Sequence, residues 1–545
     1  MRAFIISAVS ALALAACAPS SESDNAAPET TAEDYAASGL IAGTLPEIAE
    51  ALAAGEMTSE ELVSTYLERI KQVDRAGPTL QAVLTINPNA LADARASDAR
   101  RASGEALGAL DGVPILLKDN IESADPLPTT AGSLALKDNV TGRDSPLVAG
   151  LRAQGAIILG KTNLSEWANF RSDYSMSGWS ALGGQTRNPH MLDRNPCGSS
   201  SGSGAGVAAS LAAGAVGTET NGSIICPSNV NGIVGFKPTV GLVSQQYIVP
   251  ISATQDTAGP MTKSVKGAAM MLSAMATGEA KTDYAAALDA QSLKGTRVGV
   301  ARFAQGNNPA TIARFDAALH ELEAAGAILV ELTPPDIDER ALRDAELLVM
   351  SHEFKAGMDA YLSDAAPAAE VRSLDALISF NREHADVEMT LFGQDRAEDA
   401  AAAGGLDDPA YLNARETALR LMRAEGIDKL LADNDVKVIV APSGTPSPRI
   451  DQVNGDVWPE WVGLDYMAAI AGYPHLTVPM GTINGAPIGL SFIASADEDA
   501  AVLSYGYAFE QKAQLRAEPR YLKNAEEIPS VAAAMKRKAD LLEGQ

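Results

Sequence analysis

Apolar positions begin to recur regularly near residue 39. Leu62, Val63, Tyr66, Leu67, Ile70 and Val73 fall at helical spacing, and Thr58-Ser59-Glu60-Glu61 before them has the spacing of a capping box, so a helix is predicted to start there. Short continuous apolar runs follow at 113–117, 156–159, 298–300, 436–441, 476–479 and 488–493, and each predicts a buried strand. These runs are interleaved with helical stretches, which places the chain in the α/β class, with a sheet covered by helices on both faces. The stretch from about 305 to 432 reads as mostly helical, and Ile312, Phe315, Leu319 and Leu322 line one face of one such helix. There is no internal repeat and no interior linker polar enough to divide the chain. One large domain is predicted over 39–530, with a helical elaboration at about 305–432 and a C-terminal tail at 531–545.

Composition narrows the function. The chain has 545 residues, 46% of them apolar and 20% charged, enough to bury a large core. Lys plus Arg is 42 and Asp plus Glu is 69, so the net charge is 42 − 69 = −27. That surface repels nucleic acid, which is excluded as a partner. Three Cys and five scattered His argue against a disulfide scaffold and a zinc site.

The N-terminus carries an address. Arg2 gives a basic start, and residues 3–16 are apolar or small but too short for a permanent bilayer span, so 1–16 reads as a secretory signal. Leu14-Ala15-Ala16-Cys17 resembles the lipobox of bacterial lipoproteins, which implies lipidation at Cys17. Residues 17–38 are polar and tether-like. The expectation is an exported, lipid-anchored protein facing the periplasm.

Three motifs compete for the chemistry. Gly155-Ala156-Ile157-Ile158-Leu159-Gly160-Lys161-Thr162 fits the Walker A pattern, but its middle is strand-like where a phosphate cradle needs flexible backbone, so a buried strand is expected. Gly198-Ser199-Ser200-Ser201-Gly202 fits a nucleophile elbow around Ser200, yet turn residues precede it where a strand is required, and His475 reads as a structural histidine. The third signal is a constellation. Gly112-Val113-Pro114-Ile115-Leu116-Leu117-Lys118-Asp119-Asn120 ends an apolar strand on a lysine, which desolvation would hold neutral as a base. The serine-glycine loop at 196–206 and Gly217-Thr218-Glu219-Thr220-Asn221-Gly222-Ser223-Ile224 complete it.

With Asn231-Gly232-Ile233-Val234-Gly235-Phe236-Lys237-Pro238-Thr239, Asp256-Thr257-Ala258-Gly259-Pro260-Met261 and Ala471-Gly472-Tyr473-Pro474, these segments resemble the amidase signature family from about Gly39 to about residue 525. The resemblance implies a single domain with a mixed, twisted sheet. It also implies a Ser-Ser-Lys triad with Ser223 as nucleophile, Ser199 as bridging serine on a cis peptide bond, and Lys118 as base. Backbone N–H groups of Thr220, Asn221, Gly222 and Ser223 would form the oxyanion hole. The implied reaction hydrolyses a carboxamide to acid and ammonia through an acyl-enzyme, without cofactor or metal.

The chain departs from the family pattern at Cys197 before Gly198, at Glu219 where many members have Asp, and at Ile225 where many have Arg. Asn163-Leu164-Ser165-Glu166-Trp167-Ala168-Asn169-Phe170-Arg171-Ser172, Ser177-Gly178-Trp179-Ser180, Glu353-Phe354-Lys355-Ala356-Gly357 and Leu391-Phe392-Gly393-Gln394 resemble bacterial peptide amidases, which implies C-terminal peptide amides as substrates. Broad aliphatic, aryl or fatty amide hydrolysis is the alternative, and a non-enzymatic amide-binding lipoprotein a further one. If Ser199 and Ser223 touch, Cys197 and Cys226 lie near each other. Proximity alone does not supply bridge geometry, so two free, partly buried thiols are expected, with a disulfide as the alternative.

Overall fold

The computed structural model describes residues 35–277, 281–536 and 538. The expected signal, Cys17 and most of the expected tether lie outside the described residues. Among the described residues thirteen strands form: β1 (Val83–Ile86), β2 (Pro114–Lys118), β3 (Ile157–Thr162), β4 (Trp179–Ser180), β5 (Gly184–Gln185), β6 (Gly214–Glu219), β7 (Val234–Lys237), β8 (Thr257–Thr262), β9 (Arg297–Val300), β10 (Ile328–Glu331), β11 (Val438–Pro442), β12 (His475–Ile483) and β13 (Ala486–Ile493). Eleven of them make one sheet in the order β1-β3-β2-β6-β8-β7-β12-β13-β11-β9-β10, while β4 and β5 pair separately. The β3-β2-β6 and β11-β9-β10 runs are parallel and the remaining pairings are antiparallel, so the sheet is mixed. Helices flank it, among them Ile225–Asn231 against β7, β12 and β13, and Asp499–Ala513 against β12 and β13.

All six strands read from apolar runs are present, with their ends shifted by at most four residues. The predicted first helix forms as Ser59–Arg69, its capping box closed by Glu61 N donating to Thr58 Oγ1 at 3.1 Å and Thr58 N donating to the Glu61 carboxylate at 3.0 Å. A π-helical turn, Ile70–Arg75, carries Ile70 and Val73 on into the core.

The strands that hold the middle of the sheet carry little apolar signal. β6, β7 and β8 read GAVGTE, VGFK and TAGPMT, and every residue in them is buried. Their glycines are there for close approach. A Cβ on Gly259 would lie 2.0 Å from the carbonyl oxygen of Phe236, and one on Gly235 would lie 2.1 Å from Ser228 Oγ. The stretch expected to be helical is so, through Pro309–Ala324, Glu339–Ser363, Leu374–Glu383, Asp395–Ala401 and Pro409–Met422, except that β10 adds an edge strand within it.

This helical region forms one wall of the site. Phe354, Met358 and Leu362 pack in one cluster with Ala131, Leu136, Trp167 and Phe170. A buried charge group ties the two sides. The Arg171 guanidinium bonds the Glu166 carboxylate, lies 3.5 Å from Glu388 and sits 4.1 Å over the Phe392 ring. Glu388 in turn accepts from Leu134 N at 2.6 Å and Ser133 Oγ at 3.0 Å. Trp179 packs edge-on against Phe392 with ring centroids 5.2 Å apart, so segments 163–172 and 177–180 meet the distant segment 391–394 as a structural brace.

Candidate active site

Lys118 is the last residue of β2 and is fully buried. Its Nζ lies 2.7 Å from Ser199 Oγ, 2.7 Å from Thr218 Oγ1 and 3.3 Å from the Thr218 carbonyl oxygen. Asn120 Nδ2 donates to the same Thr218 hydroxyl at 3.0 Å. Burial pushes the Lys118 amine down to about 7, against the pull of the Asp256 and then the Glu219 carboxylates, which favour its charged form. A large fraction of this lysine is therefore neutral near pH 7.

Ser199 follows a cis peptide bond from Gly198 and precedes the helix Ser201–Ala208. No strand precedes it, in keeping with the turn residues read there. Three adjacent hydroxyls are distinguished by their partners. Ser200 Oγ donates to the Thr218 carbonyl at 3.0 Å and accepts from Thr218 N at 3.2 Å, and Ser201 Oγ donates to the Cys197 carbonyl at 2.6 Å. Both are committed to main chain, and Ser199 alone reaches the lysine. Gly198 is required beside it, because a Cβ there would lie 2.1 Å from Ser165 Oγ.

Ser223 stands in the turn between β6 and the helix Ile225–Asn231 and is 8% exposed. Ser200 N donates to the Ser223 carbonyl at 3.2 Å, which joins the two serine segments. The Ser223 hydroxyl makes no hydrogen bond among the described residues, and neither do the N–H groups of Asn221 and Ser223. Gly222 has φ +79°, and a Cβ on it would lie 2.8 Å from Asp465 Oδ2.

The Glu219 carboxylate holds this turn. Its Oε2 accepts from Ile224 N at 2.7 Å and Ile225 N at 3.0 Å. Burial raises its pKa, countered first by the charge of Lys237 and then by the N–H groups of Ile225, Ile224 and Gly222. Thr220 Oγ1 donates to Asp256 at 2.6 Å, and Asn221 Nδ2 donates to Glu346 at 2.6 Å. Glu346 comes from the helix Glu339–Ser363, so the helical region reaches the nucleophile turn directly.

The cysteines correct an expectation. Cys197 and Cys226 form a disulfide, with Cα atoms 5.9 Å apart, rather than two free thiols. The link between the serine segments, with Cys197 held at φ +55°, brings the two Cα atoms within bridging range. The other two motifs prove structural. Lys161 is buried in β3 and donates to the Ile121 carbonyl at 2.5 Å and Thr129 Oγ1 at 2.8 Å. His475 is buried, paired through Nε2 with Ser491 Oγ at 2.7 Å, and pushed down to about 3 by burial and the Lys237 charge.

Two cavities flank the turn. One of about 530 Å³ is reached from the Asn120, Thr218 and Thr220 side, and one of about 230 Å³ is lined by Cys197, Gly198, Asn221 and Gly222. Sequence reading placed Lys118, Ser199 and Ser223 but not Thr218, Glu346 or Asp465. Thr218 lies inside the 217–224 motif, where nothing sets it apart from its neighbours. Glu346 and Asp465 stand more than a hundred residues away in sequence, with no local pattern to mark them.

The Amidase family matches residues 61–503. The native peptide amidase of Stenotrophomonas maltophilia is 45% identical, with a TM-score of 0.83 over 87% of this chain and 98% of that one. A probable amidase of Arabidopsis thaliana is 36% identical over 88% of this chain and 91% of its own length. A putative amidase of Schizosaccharomyces pombe is 35% identical over 88% of this chain and 86% of its own length. The chain belongs to the amidase signature family and is an amide-hydrolysing enzyme of that family.

Proposed function

We propose that Ser223 is the nucleophile, Ser199 the bridging serine and Lys118 the base of an enzyme that deamidates the C-terminal carboxamide of peptides. Neutral Lys118 takes the proton of Ser199 as Ser199 takes that of Ser223. Ser223 Oγ bonds to the amide carbon, and the carbonyl electrons move onto oxygen, facing the N–H groups of the Thr220–Ser223 turn, of which those of Asn221 and Ser223 are unpaired while that of Gly222 is turned to Glu219. The proton returns through Ser199 to the leaving nitrogen, the C–N bond breaks and ammonia departs. Water then attacks the acyl-enzyme by the same relay and releases the acid.

The observation that carries this reading is the 2.7 Å contact of a buried, partly neutral Lys118 with Ser199, on a segment tied to that of Ser223 by the Ser200 N–Ser223 carbonyl hydrogen bond. Ser223→Ala is expected to lose several orders of magnitude in kcat, as removal of an activated nucleophile does. Ser200→Ala is expected to cost stability but keep most activity. An inactive Ser200 variant with an active Ser223 variant would reverse the assignment. The peptide substrate is supported by the likeness to the S. maltophilia peptide amidase. Ammonia release from an amidated peptide, its free acid, glutamine and a long-chain fatty amide tests it, and faster turnover of glutamine or the fatty amide overturns it. We also propose that the chain is exported and anchored by lipid on Cys17; Leu14-Ala15-Ala16-Cys17 motivates this, and a disulfide beside the site fits an oxidising compartment.

A further inference from the structure

The smaller cavity, beside Asn221 and Gly222, is lined by three carboxylates, Asp456, Glu460 and Asp465, and by the indoles of Trp458 and Trp461, and no lysine or arginine lines it. All three carboxylates lack an ion-pair partner among the described residues. Asp456 accepts from Ser177 N at 3.0 Å and Asn195 Nδ2 at 2.8 Å, and Glu460 accepts from Asn307 N at 2.8 Å, all neutral donors. Asp465 is only 7% exposed, its Oδ1 has no hydrogen-bond partner among the described residues, and burial together with the Glu219 charge raises its pKa to about 7, so an arriving cation would draw its carboxyl into the charged form. A buried carboxylate oxygen without a partner is costly, and its presence beside the nucleophile turn points to a donor that arrives with the ligand.

The rim adds a second observation. Trp461, which lines the cleft, is 67% exposed, so an indole that could have been buried is displayed at the acidic opening. Indoles that line a cleft together with carboxylates attract a cationic side chain through the ring quadrupole as well as through charge.

We propose that this cleft selects amides whose acyl part carries a cationic side chain, namely C-terminally amidated peptides with arginine or lysine at or next to the carboxamide. The inference rests on the peptide-amide reading above and adds the class of peptide. An acidic side chain would meet three carboxylates and no counter-ion, which is the discriminating element against it.

The test compares N-acetylated dipeptide amides that end in arginine, in citrulline and in glutamate. Citrulline keeps the shape of arginine without its charge. The arginine amide is expected to exceed the citrulline amide by roughly tenfold in kcat/KM at low salt, with the gap closing as salt rises, and the glutamate amide to be the poorest. In Asp465→Asn the arginine-to-citrulline ratio should fall towards one. Glu460→Gln, at the half-exposed rim, should lower the same ratio and serves should Asp465→Asn fail to fold. Equal turnover of the arginine and citrulline amides overturns the cationic preference and leaves peptide deamidation standing. Turnover of benzamide with none of the peptide amides overturns the peptide reading itself.

Discussion

At the scale of single residues, the chemistry depends on how far one amine is desolvated. Lys118 is held near 7 by burial, and the carboxylates that oppose this are Asp256 and Glu219. The neutral amine is the base, so the proposed relay is switched off as pH falls through about 7 and is complete above it. A plot of log kcat against pH is expected to show that acid limb; a flat profile between pH 5 and 8 would place the base elsewhere. Glu219→Gln removes one of the charges that stabilise the ammonium, while its amide oxygen can still accept from Ile224 N and Ile225 N. The acid limb of this variant should move to lower pH. An acid limb at or above that of the unaltered enzyme would show that Glu219 does not act on Lys118 through charge. The same side chain caps the turn that carries Ser223.

At the scale of elements, the site is a junction of two loops and two strand ends. β2 delivers Lys118 and β6 delivers Thr218 and Glu219. The parallel pairing of Ile115, Leu116 and Leu117 with Gly214, Ala215 and Val216 keeps those ends side by side. The serine loop and the nucleophile turn lie across them, joined by one backbone hydrogen bond and the Cys197–Cys226 bridge. The bridge closes a sequence separation of 29 residues, for which the chain-entropy argument gives roughly 3 to 4 kcal/mol. The double variant Cys197→Ser/Cys226→Ser should lose stability of about that size in urea unfolding, and reductant should reproduce the loss in the unaltered protein. Coincident unfolding curves with and without reductant would show that the covalent link contributes nothing. Arg171, Glu166 and Glu388 act at the same scale, because they fix the helical wall from which Glu346 reaches Asn221.

At the scale of the whole molecule, charge and address go together. The chain carries a net −27, and no helix among the described residues is long and apolar enough to cross a membrane. The lipid proposed on Cys17 would supply a membrane attachment that the acidic surface, repelled by anionic headgroups, does not. Cys17→Ser should leave the protein unprocessed or free it from the membrane fraction, read by fractionation and by the mass of the mature chain. A variant that stays in the membrane fraction with unchanged mass would refute the anchor.

Sequence alone determined the strands whose apolar runs are continuous and the helices with clear spacing, and contiguous motifs resembling the family pointed to Lys118, Ser199 and Ser223. These are short-range facts, because a run, a cap or a strand-end lysine is written in adjacent positions. β6, β7 and β8 escaped because their glycines are chosen for contact with neighbouring backbone and side chains rather than for propensity. The tertiary structure added the 2.7 Å contact of the Ser199 hydroxyl with Lys118, with Ser200 and Ser201 committed to main chain, and it alone decided that the two cysteines are bridged. It also decided that Glu346 and Asp465 stand at the nucleophile turn. Each of these follows from distances across the sheet junction, set by packing of segments more than a hundred residues apart or by backbone geometry that no side-chain pattern records.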